Sequence, residues 1–265
     1  MKIFQLLVLL TVAVSCTSKD ETLIWSDEFN DTGLPDSTYW LYDIGATGYG
    51  NNEMQNYTDN LANCRQENGS LIIEAHKNGD EWTSARLKSK NKFNFTYGKI
   101  VFRAKLPSGS GTWPALWLLA ENIDMLGWPA GGEIDVMEHV GKNPGVVQCA
   151  LHTTSSYGNT VNKMEYGVPD FNTDFHTYEA SRTADKIDFL VDGKLYYTYK
   201  PSVKNEDTWP FDSPFFIIMN IAMGGNWGSD TQYETNNLKN GIEPSLTTAR
   251  MEVDYVRVYA NEATR

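Results

Sequence analysis

The chain has 265 residues, enough for one large domain or two small ones and enough to bury a sizeable hydrophobic core. Asp and Glu outnumber Lys and Arg by 34 to 22, and the resulting net charge of −12 disfavours a nucleic-acid partner. No apolar run reaches membrane-spanning length, which excludes an integral membrane protein. Aromatic residues make up 12% of the chain, a content that suits core packing and also flat, partly wet binding surfaces.

Residues 1–16 have the pattern of a secretory signal peptide. A lysine at position 2 is followed by an apolar stretch over 3–14 that is too short to span a bilayer. Residues 13–16 resemble a bacterial lipoprotein box, in which the cysteine is lipidated and becomes the mature N-terminus, although Ala13 stands where leucine is usual. We therefore expect a secreted protein that is lipid-anchored through Cys16 at the bacterial outer membrane or cell surface. Ordinary secretion and a buried N-terminal strand are the alternatives.

Two further cysteines, Cys64 and Cys149, lie far apart in the remaining chain. An oxidising compartment would permit a disulfide between them. Two separate buried thiols fit the sequence equally well, so both arrangements stay open.

The rest of the chain, residues 17–265, has the pattern of β-structure in a single domain. Residues 97–106 alternate between apolar and basic side chains, which is typical of a half-buried strand. Asp192-Gly193 separates two β-rich runs over 186–199 and predicts a tight hairpin. Further strands are predicted over 71–75, 215–223 and 251–259. Many strands, turns rich in Gly and Asn, no internal repeat and no helix longer than two turns together predict an all-β antiparallel sandwich.

Three carboxylates fall within six residues of one predicted strand, at Glu133, Asp135 and Glu138. Strand alternation places the first two on one face and Glu138 on the other. One extra residue, a β-bulge near Val136 or Met137, would return Glu138 to the shared face. Like charges repel, so such clustering costs stability unless one acid stays protonated. Retaining glycosidases need such a pair, a nucleophile and a proton donor, and Asp135 between them could help separate the two pKa values.

On spacing alone, the alternative is a solvated acidic face or a cation site. Trp113, Trp117 and Trp128 precede the acidic strand closely, and tryptophan beside carboxylates is the usual composition of a sugar-binding cleft. Any one of these tryptophans could equally belong to a core. The three together favour a cleft.

The six residues from Glu133 to Glu138 resemble the active-site signature of glycoside hydrolase family 16, in its laminarinase and agarase branches. The resemblance continues in the family's order along nearly the whole mature chain. The matching segments are residues 25–29, 50–55, 83–87, 97–100, 111–117, 151–153, 220–227 and 253–256.

This resemblance implies a concanavalin A-like β-jelly-roll with a concave cleft, and hydrolysis of internal β-glycosidic bonds with retention. Glu133 would be the nucleophile, Glu138 the general acid/base and Asp135 the supporting acid. The substrate-binding residues that it implies are Trp113, Trp117 and Trp128 on the glycone side of the cleft, with Asn52, Arg86 and His152. From the residues alone, a surface ion pair is the alternative for Arg86, and a hydrogen-bonded core histidine is the alternative for His152.

Many family members bind a structural calcium ion away from the cleft, and the matching positions here are Glu28, Gly69 and Asp254. Backbone carbonyls with a carboxylate suit a hard cation. A solvated edge of the last strand is the alternative for Asp254. No cofactor is implied for catalysis.

The segments 51–55 and 112–117 resemble enzymes that act on β-1,3- and mixed β-1,3/1,4-glucans, so we expect a monomeric endo-β-glucanase with a glucan as its partner. His139 and Asn56 depart from the usual residues and could reshape a subsite. An agarase- or carrageenase-type hydrolase is the alternative on the same scaffold, although no basic cluster near the cleft motifs would pair sulfate. A non-catalytic glycan-binding lipoprotein and a transglycosylase are further alternatives.

Overall fold

The computed structural model describes residues 21–260. The predicted signal peptide and Cys16 lie outside the described residues. The strands of the described part are β1 (Thr22–Asp27), β2 (Leu41–Tyr42), β3 (Gln55–Tyr57), β4 (Cys64–Glu67), β5 (Ser70–Asn78), β6 (Glu81–Ser84), β7 (Arg86–Lys88), β8 (Asn94–Phe95), β9 (Gly98–Lys105), β10 (Thr112–Ala120), β11 (Glu133–His139), β12 (Val146–His152), β13 (Lys163–Gly167), β14 (His176–Arg182), β15 (Ile187–Val191), β16 (Lys194–Tyr199), β17 (Phe215–Met223) and β18 (Thr248–Ala260).

Helices are short in this part of the chain. There are two single-turn α-helices, α1 (Ile123–Leu126) and α2 (Gly225–Gly228), and one 3₁₀ turn over Gly48–Gly50. Over residues 21–260, no helix has the length and apolar character needed to cross a bilayer.

The strands form two sheets. The first has the order β16-β15-β14-β9-β18-β5-β6-β3, with β1 beside β18 and β4 beside β5. The second has the order β13-β12-β11-β10-β17-β7-β2, with β8 beside β17. The pairing is antiparallel except between β3 and β6, which are parallel. The predicted all-β sandwich is confirmed, and this parallel pair is a departure from it that the sequence pattern does not signal.

The strands predicted from alternation and turn residues are present. The hairpin β15–β16 turns at Asp192 and Gly193, which both have positive φ, 49° and 70°. A left-handed conformation at both positions is what a two-residue hairpin turn of this type requires. In β9, Ile100, Phe102 and Ala104 are fully buried, as the alternation predicts.

The core lies between the two sheets, and the opposite face of the second sheet forms a cleft. In β10, Leu116 and Leu118 point into the core, whereas Trp113 and Trp117 line a cavity on the other side. The second sheet is therefore sandwiched between the core and the cleft. This explains why its central strand β17 is buried along its whole length.

The two described cysteines are separate buried thiols. Cys64 lies on β4 of the first sheet and Cys149 on β12 of the second, and neither is in a disulfide. Both side chains belong to the core between the sheets. Of the two arrangements left open by the sequence, the structure has the free thiols.

Gly132, directly before the acidic strand, has φ +82°. A Cβ at this position would lie 2.7 Å from Pro210 and 3.1 Å from Phe211. The turn that leads into β11 therefore depends on glycine for its backbone conformation and also for space.

We expect Gly132→Ala to lower the free energy of unfolding by roughly 2–4 kcal/mol, because strained backbone adds to overpacking. Gly79→Ala is the matched control, since Gly79 also has positive φ, +63°, but a Cβ added there would meet nothing within 4 Å. Gly79→Ala should lower the free energy of unfolding by only about 1 kcal/mol. Urea unfolding measures both, and equal losses in the two variants would contradict the packing argument.

Candidate active site

A β-bulge in β11 brings the three acids to one face of the second sheet. Asp135 pairs with Ala150 and Glu138 with Gln148, so two residues of β11 face one residue of β12. The extra residue restores Glu138 to the face of Asp135, as the sequence predicts. The bulged residues Val136 and Met137 are both buried in the core, where only one of them was expected to be.

The face that carries the acids is the wall of a cleft of about 700 Å³. All three acids line it, together with the predicted substrate-binding residues of β7, β10 and β12 and Trp128 from the β10–β11 loop. The cleft crosses the second sheet from β12 and β13 at one end to β7 at the other. A chain-like ligand lying in it would therefore run across the strands and pass over the acids.

Burial dominates the electrostatics of the acids. Loss of solvent around the carboxyls raises the pKa of Glu133, Asp135 and Glu138 to about 8 each. The charge of Asp135 raises the pKa of both glutamates further, because the three share one desolvated site. The cluster therefore retains protons at neutral pH, which supplies the protonated acid that a proton donor requires.

Positive neighbours distinguish Glu133 from the other acids. Both His152 and Arg86 lower its pKa, while Arg86 is not among the groups that lower the pKa of Glu138. His152 Nε2 lies 3.6 Å from Glu133 Oε1 and 3.2 Å from Asp135 Oδ2. Arg86 therefore favours charge on Glu133, which suits the predicted nucleophile, while His152 favours charge on Glu133 and on Glu138 alike.

Glu138 is held by two side chains of the cleft wall. The indole Nε1 of Trp113 donates to Glu138 Oε1 at 3.0 Å, and Gln148 also hydrogen-bonds this carboxyl. These two hydrogen bonds fix the orientation of the Glu138 carboxyl in the cleft wall. This geometry fits the predicted role of Glu138 as general acid.

Trp117 and Arg86 form a layered group at the β7 end of the cleft. The Arg86 guanidinium lies 4.7 Å from the Trp117 ring and 5.0 Å from the Tyr49 ring. Its Nε is 3.0 Å from Asp43 Oδ2, so Arg86 lines the cleft and also belongs to an ion pair. Trp117 Nε1 donates to Asn220 Oδ1 at 2.8 Å, which fixes the plane of the indole.

Trp128 lies away from the other two predicted tryptophans. Its ring centroid is 5.7 Å from that of His152 on β12. Trp113 and Trp117 are on β10, and the acidic strand β11 lies between β10 and β12. The prediction that all three tryptophans line one side of the acids therefore needs correction, because the β10–β11 loop carries Trp128 across β11.

Asn52 is not among the residues that line the cleft. Its Nδ2 donates to Asn226 Oδ1 at 2.8 Å, and Asn226 does line the cleft, as does the neighbouring Asn51. Asn52 therefore acts on the cleft through Asn226 and not by direct contact.

The two departures from the family pattern lie outside the cleft. His139 follows Glu138 in β11, so it points into the core, where its ring lies 4.5 Å from Phe171. Burial lowers its pKa to about 4. Asn56 is exposed on β3 and does not line the cleft. Neither position offers the direct subsite contact that the sequence suggested.

Several cleft residues were not identified from the sequence. Glu53 is a further acid of the cleft, where Gln55 Nε2 donates to its Oε2 at 2.7 Å, and burial raises its pKa. Trp227 packs edge-on against Trp113 with ring centroids 5.4 Å apart. Asn220 also lines the cleft, and the signal in the sequence that could have identified it is its position as the one polar residue in the apolar run 215–223.

Glu133, Asp135 and His152 also meet the minimum geometry for a cation. One ligand atom from each lies within 4.8 Å of the others, and this is the one such group of three within residues 21–260. A cation bound there would compete with a sugar for the same oxygens.

The predicted calcium positions have other partners in the structure. Arg257 Nε and Nη2 lie 2.9 and 2.8 Å from the two carboxylate oxygens of Glu28. Asp254 is paired with Arg103. A calcium ion held by the carboxylate of Glu28 or of Asp254 would have to displace the guanidinium partner of that carboxylate, and the calcium site stays a prediction.

We expect the stability of the folded protein to depend on the protonation of Glu138. Its folded pKa of about 8 exceeds the unfolded value, so its contribution is full below the unfolded pKa and is lost as pH rises through 8. Glu138→Gln cannot ionise and its Oε1 can still accept from Trp113. The variant should therefore gain roughly 1–3 kcal/mol over wild type between pH 5 and pH 8.

Thermal unfolding at pH 5 and pH 8 measures this difference, with the exposed Glu81→Gln as control. A stability difference between Glu138→Gln and wild type that does not change with pH would contradict the raised pKa.

Comparisons with known proteins agree with this geometry. The model of a family described as glycosyl hydrolases family 16 matches residues 51–256. A β-glucanase of Rhodothermus marinus is 45% identical over 89% of this chain and 84% of its own length. A glucan endo-1,3-β-glucosidase of Cryptopygus antarcticus is 38% identical over 89% of this chain and 90% of its own length.

Among solved structures, the laminarinase of Flavobacterium sp. UMI-01 superposes with a TM-score of 0.83 at 41% identity, over 90% of this chain and 100% of that one. The fold is thus shared with that laminarinase over nine-tenths of this chain. The protein belongs to glycosyl hydrolases family 16.

Proposed function

We propose that the protein is a retaining endo-β-glucanase that hydrolyses internal bonds of β-1,3- and mixed β-1,3/1,4-glucans. The observation that carries the proposal is the single cleft face on which Glu133, Asp135 and Glu138 meet as buried, partly protonated acids. The relatives named β-glucanase, endo-1,3-β-glucosidase and laminarinase support the substrate class.

In the first step, the Glu133 carboxylate attacks the anomeric carbon of the sugar bound over the acids. Glu138 gives its proton to the glycosidic oxygen, the bond from that oxygen to the anomeric carbon breaks, and the leaving chain departs as an alcohol. The sugar remains attached to Glu133 through an ester. His152, which contacts both Glu133 and Asp135, holds the nucleophile in place.

In the second step, the Glu138 carboxylate takes a proton from water. The water oxygen attacks the anomeric carbon from the side that the leaving group vacated, and the ester bond to Glu133 breaks. Two inversions return the original anomeric configuration. A sugar hydroxyl in place of water would give transglycosylation by the same route.

A neutral glucan suits the charges of the cleft. The cleft wall presents acids and aromatic rings. Its guanidinium, Arg86, is already paired with Asp43, which leaves one lysine, Lys163 at the β13 end, to meet a chain of sulfate groups. A sulfated polysaccharide would need cations free to neutralise sulfate. A neutral chain needs only hydrogen bonds and flat apolar surfaces, which the cleft supplies.

We expect the purified protein to release short oligosaccharides from laminarin and from barley mixed-linkage glucan, with the β-anomer formed first. Proton NMR during the reaction detects the initial anomer, and chromatography gives the product sizes. Glu133→Ala should lower the rate by at least about 10⁴-fold, because the covalent step loses its nucleophile.

The matched control is Glu206→Ala, which removes an exposed loop glutamate that does not line the cleft. Release from agarose alone would retain the mechanism and overturn the glucan assignment. Glucan binding without release of reducing ends would contradict the enzyme assignment itself.

We also propose that residues 1–16 direct export and that the protein is anchored by a lipid on Cys16. The support is the lipoprotein-box pattern of residues 13–16. When the full chain is expressed in a bacterium, wild type should partition with membranes and carry the added mass of acyl chains. Cys16→Ser should stay unprocessed and unlipidated. A soluble, unmodified wild-type protein would contradict the anchor.

A further inference from the structure

Two large aromatic side chains are exposed side by side at the β12–β13 end of the cleft: Trp128 lines the cleft, and Tyr157 lies just outside its lining, against Trp128. Trp128 is 48% exposed and Tyr157 is 55% exposed. Their ring centroids are 5.4 Å apart at an interplanar angle of 80°, so the two rings form a corner with one face at right angles to the other. Tyr157 has no role in the mechanism above and no counterpart among the residues that the sequence indicated.

The corner is built from two separate loops that meet beside the acids. Trp128 comes from the β10–β11 loop and Tyr157 from the β12–β13 loop. Trp128 also lies against His152, which is within 3.6 Å of Glu133. The corner is therefore continuous with the catalytic part of the cleft, on the side opposite Arg86.

The loop that carries Tyr157 is held in place by hydrogen bonds. Thr153 and Ser156 exchange backbone hydrogen bonds of 2.9 and 3.0 Å, and Ser155 N donates to the carbonyl of Asp207 at 2.9 Å. Thr160 Oγ1 donates to the carbonyl of Leu151 at 2.9 Å. The exposed ring of Tyr157 thus stands on an ordered support, and a ligand would not have to order the loop on binding.

Polar groups lie beside the corner. Asn159 and Lys163 line the same cleft, and Lys163 Nζ donates to Asn159 Oδ1 at 2.6 Å. This hydrogen bond fixes the amide of Asn159 and leaves its NH₂ group as a donor. Flat apolar rings next to fixed donors suit a pyranose, which has an apolar C–H face and a rim of hydroxyl groups.

We propose that Trp128, Tyr157 and Asn159 form a further sugar-binding subsite, which takes a neutral pyranose unit of the polysaccharide beyond the unit next to His152. Tyr157 supplies the stacking face and sets the length of chain that the β12–β13 end of the cleft can hold. The inference rests on the proposed glucanase function and adds a specificity-determining residue to it.

The test is the dependence of kcat/KM on substrate length for wild type, Tyr157→Ala, Tyr157→Phe and Val161→Ala. A series of β-1,3-gluco-oligosaccharides of increasing length is the substrate. Val161 is a matched control, because it lies on the same loop and is 82% exposed but has no aromatic ring that could stack on a sugar.

Tyr157→Ala should lower kcat/KM about tenfold for long oligosaccharides, equivalent to roughly 1.4 kcal/mol, and leave the shortest cleaved oligosaccharide unaffected. Tyr157→Phe keeps the ring and should restore the wild-type length dependence. With reducing-end label, Tyr157→Ala should also shift the cleaved bond along the chain by one sugar unit, because one binding position is lost.

An equal loss on short and long substrates would show a merely structural role for Tyr157 and overturn the subsite. Unchanged kinetics of Tyr157→Ala on every length would overturn it as well, while the glucanase function would stand. Failure of wild type to cleave any of these glucans would overturn both the function and the subsite.

Discussion

The active-site face depends on one extra residue in β11. Without the bulge at Val136 and Met137, strand alternation would direct Glu138 into the core, opposite Glu133 and Asp135. With it, both bulged side chains fill the core between the sheets and all three acids enter the cleft. The bulge thus allows the seven residues of β11 to present apolar side chains to the core on one side and the three acids to the cleft on the other.

Burial raises the pKa values of the three acids, which their proposed roles require, but it lowers the stability of the folded protein. Three carboxyls placed in one desolvated wall would repel one another if all were charged, so they hold protons up to about pH 8. The nearby groups that favour charge on Glu133 are side chains of the cleft, His152 and Arg86. Arg86 therefore favours a charged nucleophile at Glu133, whereas burial keeps the proton on Glu138 against the indole hydrogen bond, which favours the charged form of that carboxyl.

Local patterns predicted much of this structure. The β11 bulge, the Asp192-Gly193 hairpin and the apolar alternation of β9 are all decided within a few residues, where turn chemistry and strand parity act. The cleft is not local, because Glu53 reaches it through a bridge to Gly224, which is distant in sequence, and Trp128 meets Tyr157 from a separate loop. The side on which Trp128 lies depends on the path of a loop, and loop paths leave no periodic signal.

The most direct test is a ¹³C NMR titration of the protein with labelled Asp and Glu side-chain carboxyls, in which Glu133→Gln, Asp135→Asn and Glu138→Gln identify the three resonances. We predict that the cluster of Glu133, Asp135 and Glu138 still holds at least one proton at pH 7 and releases its last proton near pH 8. If all three carboxyls instead lose their protons near the usual values of about 4, burial does not keep the site protonated and the assignment of Glu138 as proton donor at neutral pH is contradicted.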